Sequence, residues 1–117
     1  VSRKYLLSGE MPQLAAAPGP TYLRLLRGNV PTVLDEYDYT FELGKAKVLR
    51  PGADVVFVSS GLMTMRALQA AEALAAHKVD VAVVHTPTLK PFDEETLFQT
   101  AFAIGQAAGK YVAPQWW

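Results

Sequence analysis

The sequence predicts a three-layer α/β domain built on a mostly parallel, Rossmann-like sheet. Two apolar runs, Val55-Val56-Phe57-Val58 and Val79-Asp80-Val81-Ala82-Val83-Val84, have the pattern of strands buried on both faces. Between them, Leu62, Met65, Leu68, Ala71 and Leu74 recur at three-residue spacing, with Arg66, Gln69 and Glu72 together on a polar side. That is an amphipathic helix over Leu62 to His77, and strand, helix, strand in this order is a β-α-β crossover joining parallel neighbours.

At 117 residues the chain is long enough for one hydrophobic core. Eleven basic residues balance eleven acidic ones without clustering, which argues against nucleic acid as a partner. Cysteine is absent, so disulfides and thiolate metal sites are excluded. No apolar stretch reaches the roughly 18–20 residues of a bilayer span, and the amino terminus lacks a basic stretch followed by an apolar run. A cytoplasmic setting is the expectation.

In chain order, residues 1–17 show no periodicity and are left unassigned. Pro18-Gly19-Pro20 punctuates the chain, and Thr21-Tyr22-Leu23-Arg24-Leu25 alternates as a strand does. Arg27 to Tyr39, with Gly28, Asn29, Pro31 and the run Asp35-Glu36-Tyr37-Asp38-Tyr39, has the composition of an extended surface connection. Thr40–Leu43 and Ala46–Leu49 are predicted as short edge strands about a turn at Gly44-Lys45.

Beyond the crossover, Thr86 to Pro91 is a proline-bracketed loop leading to Asp93, a helix N-cap, with Glu94 and Glu95 in the first turn where carboxylates favour the helix dipole. Leu97, Ala101, Ile104 and Ala108 form the apolar stripe of this second helix, Phe98 and Phe102 widen it, and Gly109 ends it. Lys110-Tyr111-Val112-Ala113 is placed to begin a third parallel strand. A doubly wound sheet normally continues further, so an incomplete, truncated domain is expected.

Few residues carry chemistry. Ser59-Ser60-Gly61 joins a strand to a helix N-terminus, where open α/β sheets bind ligands, but its single glycine matches neither a dinucleotide fingerprint nor a P-loop, and a plain connecting turn is the reading. His85, at the carboxyl end of a strand, has no second titratable group fixed beside it by the sequence and reads as structural. His77 complements a helix carboxyl terminus. Asp35, Glu36 and Asp38 lack the spacing of a calcium loop and read as a solvated linker. Glu94 and Glu95 point apart on their helix and form no dyad. Arg24 and Arg27, near the end of the first strand, could hold a phosphate or carboxylate brought by a neighbouring domain.

The stretch Gly19-Pro20-Thr21-Tyr22-Leu23-Arg24-Leu25-Leu26-Arg27-Gly28-Asn29-Val30-Pro31, followed by Phe41-Glu42-Leu43-Gly44-Lys45-Ala46-Lys47-Val48-Leu49, resembles transketolase in its split bacterial form. The likeness continues through Asp54–Met63 and Val81–Leu97, including Pro87-Thr88-Leu89-Lys90-Pro91-Phe92-Asp93, and covers residues 19–97. It implies an enzyme that uses thiamine diphosphate and magnesium to move two-carbon ketol units between sugar phosphates. On that resemblance residues 1–29 are the tail of a pyrimidine-binding domain, 30–39 a linker and 40–117 a truncated carboxy-terminal domain. It also implies that Arg27 binds the substrate phosphate.

The sequence departs from the family in lacking its Gly-Asp-Gly motif with downstream Asn, and its glutamate region. No cofactor, metal ligand or catalytic residue is therefore expected on this chain, and activity is expected to need other transketolase domains or a partner subunit, with a homo-oligomer anticipated. The residues before 18 and after about Lys110 do not follow the family, the former lacking its usual helix. A free-standing anion-binding module and a dimerisation module are the alternatives.

Overall fold

The computed structural model describes residues 3–25 and 34–107, with the backbone alone for 3–9 and Asp35. Its elements are α1 (Arg3–Ala16), a short 3-10 helix (Leu34–Tyr37), β1 (Lys47–Arg50), β2 (Val55–Ser59), α2 (Leu62–Ala75), β3 (Val81–His85) and α3 (Glu94–Ala107). The strands form one sheet in the order β1-β3-β2.

β3 is central because its first four residues are all apolar, and Val81, Ala82, Val83 and Val84 are at most 1% exposed. Each fully buried valine contributes on the order of 1.5–3 kcal/mol relative to exposure. β2 runs parallel to it from Val55 opposite Val81 to Ser59 opposite His85, as the crossover requires. The register is fixed at its start by Asp54, whose backbone N–H donates to the Asp80 carbonyl while its carboxylate accepts from the Asp80 N–H at 2.7 Å.

β1 pairs with β3 antiparallel, with a bulge between Val48 and Arg50. The described sheet is therefore mixed, with a parallel half and an antiparallel edge. Leu49, Leu68, Ala71, Val81 and Val83 form the core between the sheet and α2, joined by the half-buried Leu34, Tyr37 and Phe57. Ala82 and Val84 face the opposite side by strand alternation, and α3 packs nearest β2.

Four expectations change. Residues 3–16 form a helix, so a helix does precede the Thr21–Leu25 segment. That segment is irregular with Tyr22 88% exposed; a strand persists only beside a partner, and none of the described residues pairs with it. Thr40–Leu43 is not a strand either. It leads into a turn in which the Lys45 N–H donates to the Glu42 carbonyl, and Gly44 at φ +80° supplies the positive φ that such a turn needs at its third position. Finally, the acidic connection is not simply extended, because Leu34 and Tyr37 turn inward onto the core while Glu36 and Asp38 stay exposed.

α2 and α3 begin where the sequence places them. Their apolar stripes differ in detail: Thr64 of α2 is buried, and Phe98 of α3 is 66% exposed. Ala108, Gly109 and the expected strand at Lys110–Ala113 lie outside the described residues.

Candidate functional site

The carboxyl ends of β2 and β3 and the start of α2 converge on Ser59, Thr64, His85 and Thr86, all buried. This is the edge at which open α/β sheets bind ligands. Two features of the sequence create it. Gly61 adopts φ 54°, ψ −131°, a conformation that side chains resist, and so turns the chain sharply from β2 into α2. Thr64 then lies one helical turn before Leu68, on the face that meets the sheet.

The polar groups here satisfy one another. The Ser59 hydroxyl donates to Thr64 Oγ1 at 3.1 Å, and Thr64 Oγ1 lies 2.8 Å from His85 Nδ1. Thr86 donates twice to the Ser59 carbonyl, from its backbone N–H at 2.8 Å and its hydroxyl at 3.1 Å. Tyr39 stacks edge-on against the His85 ring at 5.3 Å. Burial lowers the His85 pKa to about 4, so the ring is neutral near pH 7. Burial, with a smaller contribution from Glu10, pushes the Tyr39 phenol up to about 12. The Tyr39 hydroxyl is buried without a hydrogen-bond partner.

This network does not form a nucleophilic relay. Thr64 stands between Ser59 and His85, the serine is 8% exposed, and no carboxylate among the described residues orients the imidazole. It ties strand ends to a helix.

The loop from β3 to α3 is fixed by Asp93. One carboxylate oxygen accepts from the Thr96 N–H at 3.1 Å, as an N-cap does, and the other accepts from the Ala46 N–H at 2.8 Å and the Thr96 hydroxyl at 2.7 Å. The Ala46 N–H, followed by the two Thr96 donors, holds this carboxyl below its ordinary range. Gly44 donates to Thr88 Oγ1 at 3.1 Å, closing the same seam.

An open cavity of about 500 Å³ lies elsewhere, between the 3-10 helix, β1 and α2, and is bounded by Glu36, Tyr37, Arg50, Gln69 and Glu72. Its one cation already faces Asp80 at 3.9 Å.

The residues singled out from sequence fare unevenly. Ser59 ends β2 with Ser60 and Gly61 leading into α2, His85 ends β3 buried against Thr64 and Tyr39, and His77 is exposed in the turn that follows α2. Glu94 and Glu95 are exposed in the first turn of α3, where Glu95 accepts from Gln99. Arg24 is exposed. Arg27 lies outside the described residues. Thr64, Tyr39, and Asp93 as an anchor for Ala46 were missed; only the 3.6-residue period of α2 could have pointed to Thr64.

No group of three or more acidic, histidine or cysteine side chains among the described residues could hold a metal ion. Both carboxylate oxygens of Asp93 are already engaged. No helix among the described residues is long and apolar enough to cross a membrane.

Residues 44–107 match the family model for the transketolase C-terminal domain. A transketolase family protein of Sinorhizobium fredii is 62% identical over 87 residues, covering 74% of this chain and 25% of that protein. A 6-deoxy-6-sulfo-D-fructose transketolase subunit of a Clostridium species is 42% identical over 99 residues, covering 85% of this chain and 30% of the relative. Among solved structures, a split-gene transketolase in an inactive beta4 tetramer is similar with a TM-score of 0.77 and 40% identity, over 83% of this chain and 32% of that one. The chain thus spans no more than about a third of these relatives, and over the β-α-β unit that builds its core it belongs to the transketolase C-terminal domain family.

Proposed function

We propose that this chain is the carboxy-terminal part of a transketolase-type enzyme that uses thiamine diphosphate and magnesium to transfer two-carbon ketol units between sugar phosphates. The observation that carries the reading is the family match over residues 44–107, joined to relatives several times longer than the stretch they share with this chain. The coenzyme would be held by domains other than the described unit.

In this reading residues 1–29 end a pyrimidine-binding domain, 30–39 link, and 40–117 form the carboxy-terminal domain. The chain contributes a scaffold and Arg27, whose planar, permanently charged guanidinium suits bidentate capture of a substrate phosphate. On this reading it is inactive alone and works with other transketolase domains or a subunit that carries them. The subunit designation of the Clostridium relative and the tetramer of the solved neighbour support an oligomer.

The test is ketol transfer measured after the chain is combined with such a subunit. Arg27→Ala is expected to raise KM for the phosphorylated acceptor about tenfold or more, the cost of losing a charge-assisted bidentate pair. Activity indifferent to Arg27→Ala would overturn the site assignment.

A further inference from the structure

The loop between β3 and α3 is pinned along its length, yet it holds apolar side chains out to solvent. At its start Thr86 donates twice to the Ser59 carbonyl, and at its end Asp93 accepts from the Ala46 N–H. Within it, Thr88 Oγ1 accepts from the Gly44 N–H. The Pro91 ring sits so close to Gly44 that a Cβ there would lie 3.0 Å from Pro91 Cγ. Between and beside these anchors, Leu89 is 71% exposed, Phe92 is 44% exposed and Lys90 is exposed.

A loop tied down in this way cannot turn Leu89 inward, so nothing within the described residues offsets its exposure. The same anchors have already removed the freedom that a binding loop loses on association, which leaves a preorganised contact surface. Large apolar side chains that a partner desolvates carry most of the free energy of such contacts. Lys90 stands between the two, and no carboxylate among the described residues pairs with it. An ammonium set in an apolar contact is matched by a carboxylate on the surface that covers it.

The position of the loop says what covers it. Gly44 and Ala46, on which it rests, continue from Phe41–Leu43, and Gln13 of α1 clasps that segment. Its Nε2 donates to the Phe41 carbonyl at 2.8 Å and its Oε1 accepts from the Leu43 N–H at 2.9 Å. The loop therefore borders the place where the preceding part of the chain is fastened to the sheet-bearing unit. The matched relatives are several times longer than the stretch they share with this chain, so most of such a molecule lies off this unit and meets it somewhere.

We infer that Leu89, Lys90 and Phe92 form a contact by which the described unit docks onto the other domains of the enzyme, against an apolar surface edged by a carboxylate. The inference rests on the reading of this chain as one part of a transketolase-type enzyme.

The experiment mixes the full chain with a subunit carrying the remaining domains and measures Kd by calorimetric titration at two salt concentrations. Leu89→Ser should weaken association about tenfold while leaving the urea midpoint of the chain unchanged, and Leu89→Met, which keeps the apolar contact, should bind as the parent does. Lys90→Ala should weaken association about threefold and remove much of its salt dependence, and Lys90→Glu should weaken it further.

Association indifferent to Leu89→Ser overturns the inference and leaves the transketolase-type reading standing. Lys90→Glu binding as tightly as Lys90→Ala also overturns it, since no carboxylate then faces the loop. If the chain alone dimerises in sedimentation and Leu89→Ser abolishes the dimer, the loop meets a second copy and the inference is again overturned. If the parent chain neither binds the subunit nor restores ketol transfer with it, the reading falls and the inference falls with it.

Discussion

The stretch from Ala46 to Ala107 and the stretch before it are held by different kinds of bond. After Ala46, backbone ladders run through β1, β3 and β2, and the core cluster draws its buried residues from Leu49 to Val83. Before it, α1 supplies none of that cluster among the described residues, and its bonds to Phe41 and Leu43 come from one side chain, Gln13. The family model spans residues 44–107, which contain the sheet, α2 and α3. The earlier stretch is fastened to this unit by side chains rather than built into its sheet. Substitutions at packed positions in the first region, and at Leu34 and Tyr37 that pack on its core, should therefore act on global stability, and those in α1 on how its parts are placed.

The sharpest way to break this contrast is Gly52→Ala. A Cβ at Gly52 would run into the backbone of Ala82 and Val81, which belongs to the most buried strand and has no side chain to move aside. A loss of about 3 kcal/mol or more, read from the urea midpoint, is expected. A neutral result would show that the turn between β1 and β2 is not packed against β3.

Asp93→Ala should follow, at about 2–4 kcal/mol, because it removes a helix cap together with a charge-assisted bond to Ala46. The folded carboxyl is held below its ordinary value of 3.8. Its contribution is therefore complete above the unfolded pKa and is lost as pH falls through the lower folded one. Asp93→Asn should flatten that acid limb in urea titrations below pH 4.

His85 should give the smaller and separable effect, on the order of 2–3 kcal/mol across its window. Its folded pKa is lowered from 6.5 to about 4, so the unfolded chain takes up the proton first. Stability is full above pH 6.5 and declines as pH falls toward about 4, a slope that His85→Gln should remove. Persistence of the slope in the variant would assign it to another group.

How much of this was legible in the sequence follows from the same contrast. The run at Val81 declares a buried strand because apolar residues without alternation fit a sheet covered on both faces, but the run at Val55, read the same way, forms β2 at the edge of the described sheet, with Val55 39% and Val58 48% exposed. Asp93 and the glutamates after it announce a helix start locally. Thr64 was passed over because a strict three-residue count drifts away from the true 3.6-residue period, which places Thr64, Leu68 and Ala71 on one face. α1 was not legible, with Ser8, Gly9 and Pro12 all arguing against a helix interior. Gln13 with Phe41 and Tyr39 with His85 are tertiary pairings between distant residues, and no local pattern announces them.

The most direct measurement is ketol transfer by the purified chain with thiamine diphosphate, magnesium and a ketose phosphate, first alone and then with a subunit bearing the missing domains. Turnover that appears only on mixing is the predicted result. Turnover by the chain alone would contradict the account.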